Sequence, residues 1–165
     1  MGSAFAEKLT GLGCRILAHD PYRNDIDGAL NGRVHAADLD TLHKEADIVS
    51  LHCNLTDETR GMVDADWLSR FQKPVVLMNT ARGPIVRTQA LLDALDRGSV
   101  VCAALDVFDR EASSFEHVQG GDATWQRLLA HPRIQVSPHV AGWTEESYVK
   151  LSSVLADKVL AEFGG

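Results

Sequence analysis

Val75-Val76-Leu77-Met78-Asn79-Thr80-Ala81-Arg82-Gly83 reads as a strand running into a turn. Four apolar residues follow one another without alternation, as in a strand covered on both faces. Gly83-Pro84 then fixes a tight bend after Arg82. Residues 15–18, 48–51, 100–105 and 134–136 read as further short, largely apolar strands. Helical patterns lie between them. Phe5, Leu9 and Leu12 keep helical spacing, with Gly13 as the expected stop. Leu39, Leu42 and Ala46 form a second stripe behind the N-cap candidate Asp38. Ala90, Leu91, Leu92 and Leu95 form a third, ended by Gly98. Tyr148, Leu151, Leu155 and Val159 form a fourth, capped by Thr144 with Glu145 and Glu146 in its first turn. Strand alternating with helix implies an α/β fold with a doubly wound parallel sheet. The polar stretch 111–122, with Gly120-Gly121, interrupts this rhythm and reads as a long loop.

Bulk properties narrow the function classes. The chain has 165 residues, enough for a compact domain with its own core. It is 45% hydrophobic and 24% charged, with a net charge of −7 and no basic stripe. That balance argues against nucleic acid as a partner and against docking on an anionic membrane. No apolar run approaches a membrane span, and the first residues lack the pattern of a secretory signal. Cys14, Cys53 and Cys102 are odd in number and widely spaced, so they read as small hydrophobes of a reduced, cytoplasmic protein. No histidine has metal-ligand spacing, and no metal is expected. Trp67 and Trp143 read as packing residues, and Asp64 and Asp66 as helix caps.

Arg82, Glu111 and His139 are the candidate catalytic residues. An arginine can hold a carboxylate through two parallel hydrogen bonds. A histidine can move a proton near neutral pH, and a carboxylate can orient it. Arg82, Asp106 and His139 each follow an apolar strand, so one crevice at the carboxyl end of the sheet would collect them. Singly, each has a plainer reading as a surface arginine, a turn acid or a structural histidine. Together they suit oxidation of a hydroxy acid or reduction of a keto acid.

The start of the chain carries a second signal. Gly2 opens a helix, and the strand that follows leads to Asp20, 18 residues on. In a dinucleotide-binding unit, a glycine at the helix start lets the backbone approach and an acid about 20 residues later binds the ribose. An ordinary helix start and a loop aspartate would look the same. A carboxylate at Asp20 would repel a 2′-phosphate, although Arg23 lies close by.

Several blocks in order resemble the nucleotide-binding domain of the D-isomer-specific 2-hydroxyacid dehydrogenases, which include phosphoglycerate, D-lactate and glyoxylate-type enzymes. They are Ala46-Asp47-Ile48-Val49-Ser50-Leu51-His52, Thr56-Asp57-Glu58-Thr59-Arg60-Gly61, Asn79-Thr80-Ala81-Arg82-Gly83, Ala90-Leu91-Leu92-Asp93-Ala94-Leu95, Ala104-Leu105-Asp106-Val107-Phe108 and Ser137-Pro138-His139. The resemblance implies a Rossmann-like sheet, NAD as cofactor and a small 2-hydroxy or 2-keto acid as substrate. It implies that Arg82 holds the substrate carboxylate, that His139 is the acid–base and that Glu111 is its partner. Gly2, Asp20, Thr80, Ala81 and Asp106 become cofactor-binding residues, with Asp106 on the nicotinamide side. It implies a homodimer when complete. Asn54 and Ala112 stand where the family often has proline, and the loop 113–122 looks lengthened. The chain is expected to be a partial dinucleotide-binding domain over residues 1–165, lacking the first central strand and the substrate-binding domain, with residues 144–163 beginning a helix that returns to it. Alone it is expected to be unstable or aggregating, and inactive. Two other readings stand beside this one: an NAD(H)-sensing module of the corepressor kind, and an inactive gene fragment.

Overall fold

The computed structural model describes residues 1–109, 123–140 and 143–164. In chain order the elements are α1 (Gly2–Leu9), β1 (Ile16–Ala18), α2 (Ala29–Gly32), β2 (Val34–Ala36), α3 (Leu39–Glu45), β3 (Ile48–Leu51), α4 (Ala65–Ser69), β4 (Val75–Asn79), α5 (Thr88–Arg97), β5 (Val100–Leu105), α6 (Ala123–Ala130), β6 (Ile134–Val136) and α7 (Glu145–Phe163). All strand pairs are parallel. β3, β4, β5 and β6 pair in that order, and β1 pairs with β2 in a separate two-stranded sheet. β1 and β3 do not pair with each other. The parallel four-stranded sheet with flanking helices is Rossmann-like.

The core lies in the four-stranded part. Val75 and Leu77 of β4, Leu91, Leu92 and Leu95 of α5, Val100 of β5 and Leu128 of α6 are all buried in one cluster. β4 alternates between fully and partly buried positions, so its neighbours cover both of its faces. Each helix boundary has a local cause. Asp38 accepts from the Thr41 amide at 2.7 Å and Asp64 from the Trp67 amide at 2.9 Å, both N-cap bonds. Gly98 ends α5 in the left-handed region, at φ 79°. Thr144 caps α7 through the Ser147 amide.

Several expectations are corrected. α1 stops at Leu9, before Gly13, because the chain turns at Thr10 and the Leu12 amide bonds back to Leu9. α2, β2 and α6 come from stretches without a readable pattern. In α2, Leu30 and Asn31 have left-handed backbones, which no apolar spacing predicts. Asp66 is not a cap; it sits in the first turn of α4 and pairs with Arg70. Trp67 packs as expected, but Trp143 is 71% exposed, standing just ahead of α7. The apolar stripe of α7 is exposed as well, since no described element packs along it. Among the cysteines only Cys102 lies in a strand, and all three are free thiols. The loop read over residues 111–122 lies outside the described residues.

Candidate functional site

Three adjacent strands deliver the candidate residues to one edge of the sheet. Register aligns Asn79 of β4 with Leu105 of β5, and Leu105 with Val136 of β6. Arg82, Asp106 and His139 follow these aligned strand ends. The Asp106 amide donates to the Asn79 carbonyl at 2.9 Å, and the Ser137 amide to the Leu105 carbonyl at 3.0 Å. The ladder thus continues one step beyond the strands and fixes the start of each loop.

Asn79 builds the turn that presents Arg82. It is buried, its side-chain oxygen accepts from the Ala81 amide at 3.1 Å, and its amide nitrogen donates to the Arg82 carbonyl at 3.1 Å. Gly83 must be glycine, because a Cβ there would lie 1.5 Å from the Phe108 carbonyl oxygen. The loop after β4 is therefore clamped against the segment after β5. Arg82 itself is exposed, with Nη1 donating to the Ala81 carbonyl at 2.6 Å. Thr80 is exposed and Ala81 buried, so Ala81 can line a crevice only with its backbone.

His139 is held by Asp106. Its Nδ1 lies 2.8 Å from Asp106 Oδ2, and its backbone amide donates to Oδ1 at 3.1 Å. The Ser137 hydroxyl donates to Oδ1 as well. Since an ionised carboxylate only accepts, Nδ1 carries the proton and Nε2 is left as the second ring position. The His139 backbone is left-handed at φ 54°, a conformation uncommon outside glycine, and the Asp106 bonds hold it there. The Asp106 side chain is largely covered, whereas that of His139 is 42% exposed. Glu111 lies outside the described residues. Sequence reasoning overlooked Ser137 and the positioning role of Asn79; each was visible only as a polar residue beside a candidate.

The second part of the site lies around β1 and α1. α1 begins at Gly2, with Met1 at its N-cap position, and a helix start is where an anion can be received. A Cβ on Gly2 would come within 3.2 Å of the His52 side chain, which brings the helix start against the end of β3. Asp20 follows β1 and is exposed, with Oδ1 accepting from the Tyr22 amide at 3.0 Å. A helix start, a close-packed glycine and a strand-end carboxylate fit the pyrophosphate and ribose of a dinucleotide.

Comparison with known proteins identifies the family and the fold. A crystal structure of a D-isomer specific 2-hydroxyacid dehydrogenase from Lactobacillus delbrueckii ssp. bulgaricus, in its NAD complexed form, superposes with a TM-score of 0.84 at 34% identity, covering 99% of this chain and 51% of that one. The 2-hydroxyacid dehydrogenase A of Aspergillus oryzae is 35% identical, over 93% of this chain and 45% of the relative. A D-lactate dehydrogenase of Treponema pallidum is 35% identical, over 88% of this chain and 44% of the relative. The chain therefore spans about half the length of the relatives it matches. The family model for the D-isomer specific 2-hydroxyacid dehydrogenase NAD binding domain matches residues 1–141, and the chain belongs to that family.

Proposed function

We propose that this domain serves hydride transfer between NAD and a small 2-hydroxy or 2-keto acid. The observation that carries the reading is the alignment of Arg82, Asp106 and His139 beyond three adjacent strand ends. NAD, when bound, supplies the hydride acceptor or donor. Gly2 and the α1 amides receive its pyrophosphate, Asp20 accepts from its ribose hydroxyls, and Thr80 and the Ala81 backbone line the crevice between them.

Arg82 holds the substrate carboxylate with its guanidinium fork and draws electron density from the adjoining carbonyl. In reduction, protonated His139 gives the proton on Nε2 to the developing alkoxide; in oxidation Nε2 takes it back. Asp106 keeps the proton on Nδ1 and fixes the ring, on the nicotinamide side of the crevice. Glu111, the partner implied by family resemblance, would share this duty, so two carboxylates contend for one ring nitrogen.

Residues 1–165 act as the larger part of a dinucleotide-binding domain, and α7 begins a helix that returns to a substrate-binding domain. The assembled enzyme is proposed to be a cytoplasmic homodimer, on the reduced cysteines and the family resemblance. Two assays test the function. The chain is titrated with NADH, and a chimera carrying it in place of the matching half of a D-lactate dehydrogenase is offered pyruvate, glyoxylate and hydroxypyruvate. Turnover of one of them with NADH supports the reading. NADH binding without turnover favours a sensing module instead.

A further inference from the structure

Tyr22 and Glu58 join two loops that no strand pairing connects. Tyr22 stands two residues beyond Asp20 in the loop after β1, and Glu58 lies in the loop after β3. These strands belong to separate sheets, and each loop follows the carboxyl end of its strand. The Tyr22 hydroxyl donates to a Glu58 carboxylate oxygen and so ties the two loops together.

Each end of the bridge is set by its own loop. The Asp20 carboxylate accepts from the Tyr22 amide at 3.0 Å, which ties the direction of Tyr22 to the proposed ribose acid. Glu58 sits in a turn where Thr59 Oγ1 donates to the Asn54 carbonyl at 2.6 Å and accepts from the Thr56 amide at 2.8 Å. The Arg60 amide closes the same turn on the Thr56 carbonyl at 2.9 Å. Tyr22 is 77% exposed, so its ring packs against little in the protein. The hydrogen bond to Glu58, then the Glu58 charge, hold the phenol above its ordinary pKa, with smaller contributions from desolvation and Asp20. It therefore remains a donor at neutral pH.

We propose that Tyr22 is the adenine platform of the NAD site, held in place across the cleft by Glu58. This rests on the NAD-binding reading given above. An aromatic face beside the ribose acid is placed to stack on a base, since every base presents a π-face. A solvent-exposed hydrogen bond adds little binding energy of its own. Its effect is to hold a flexible side chain in the binding orientation before the ligand arrives.

The test measures binding of NADH, ADP-ribose and reduced nicotinamide mononucleotide to the full chain by calorimetry. Tyr22→Ala should weaken NADH and ADP-ribose about tenfold or more. Tyr22→Phe and Glu58→Ala keep the ring and lose the tether, and should weaken both ligands about two- to fivefold. The mononucleotide, which lacks adenine, should bind all four proteins alike. Equal ADP-ribose affinity in wild type and Tyr22→Ala overturns the platform, as does an equal loss for the mononucleotide. Unchanged affinity in both Tyr22→Phe and Glu58→Ala overturns the tether. A wild-type chain that binds neither NADH nor ADP-ribose sinks the NAD reading itself, and the platform with it.

Discussion

The Asp106 carboxylate and His139 lie 33 residues apart in sequence, yet the carboxylate accepts from both the ring Nδ1, at 2.8 Å, and the backbone amide, at 3.1 Å. One side chain thus sets the ring's tautomer and stabilises an unusual backbone conformation. Asp106→Ala leaves three donors without their acceptor, including the Ser137 hydroxyl. The expected loss is about 1 kcal/mol of stability, since His139 is partly solvated and water replaces some of the bonding. Asp106→Asn should recover part of it. Chemical denaturation of the three proteins measures this, and an unchanged Asp106→Ala midpoint would show that the contact carries no weight.

The two carboxylates can be separated kinetically. If Glu111 faces His139 in the assembled enzyme, its charge favours the imidazolium, and Glu111→Gln should move the alkaline fall-off of reduction to lower pH. If Asp106 alone is the partner, Asp106→Asn makes that shift and Glu111→Gln does not. Profiles of kcat/KM against pH for both variants in the chimera decide between them.

Arg82→Lys should cost roughly 10²-fold in kcat/KM, because an ammonium is a point charge and cannot reproduce the fork that orients a carboxylate. The turn is built by Asn79 and Gly83, so the substitution should leave the fold intact. A near-normal kcat/KM with pyruvate would remove Arg82 from the substrate site.

His43 gives a pH dependence unrelated to the proposed chemistry. It is 3% exposed, wedged against Trp67 and Phe71, and neither ring nitrogen has a hydrogen-bond partner. Burial lowers its pKa below 6.5, the Arg70 charge adds to this, and Asp40, the Leu39 backbone and Asp66 oppose it. The unfolded chain then takes up the proton before the folded one does. Stability is complete above the unfolded value and declines as pH falls from there through the depressed folded value. His43→Leu should flatten this acid limb and add about 1–2 kcal/mol, by removing two unsatisfied buried groups. Thermal melts from pH 7.5 to 4.5 read both effects; parallel curves for the two proteins would count against the assignment.

Legibility in the sequence followed chemistry closely. β5 was readable to the residue because it is an unbroken apolar run between Ser99 and Asp106; β3 and β6 were readable from their β-branched residues despite Ser50 and Gln135, and Asp38, Asp64 and Thr144 announced their helices through side chains that cap amides. β2 was not, since Val34-His35-Ala36 holds a single β-branched residue where Ile134-Gln135-Val136 holds two. Strand ends placed Arg82, Asp106 and His139 on one edge of the sheet. Which acid reaches His139 was not readable, because that depends on how two loops turn after β5 and β6. The Tyr22–Glu58 bridge was equally hidden, joining loops 36 residues apart.

Cofactor selectivity follows from three charges after β1. Asp20 would stand against a 2′-phosphate, and Arg23 is the nearby cation that could offset it. Arg23 is already engaged: Nε donates to Asp25 Oδ1 at 2.8 Å and Nη2 to Oδ2 at 2.5 Å. The pair is exposed and opens readily, so Asp25 moderates Arg23 without silencing it. NADH should therefore bind more tightly than NADPH. Asp20→Ala should narrow the ratio about tenfold, by removing the repulsion. Asp25→Ala alone should change it less, because Asp20 still faces the phosphate. The double variant should exceed the sum of the two, since Arg23 is then both free and unopposed. Fluorescence titrations of the four proteins with NADH and NADPH measure each ratio. Equal affinities in the parent chain would show that Asp20 does not discriminate, and strictly additive effects would show that Asp25 does not act through Arg23.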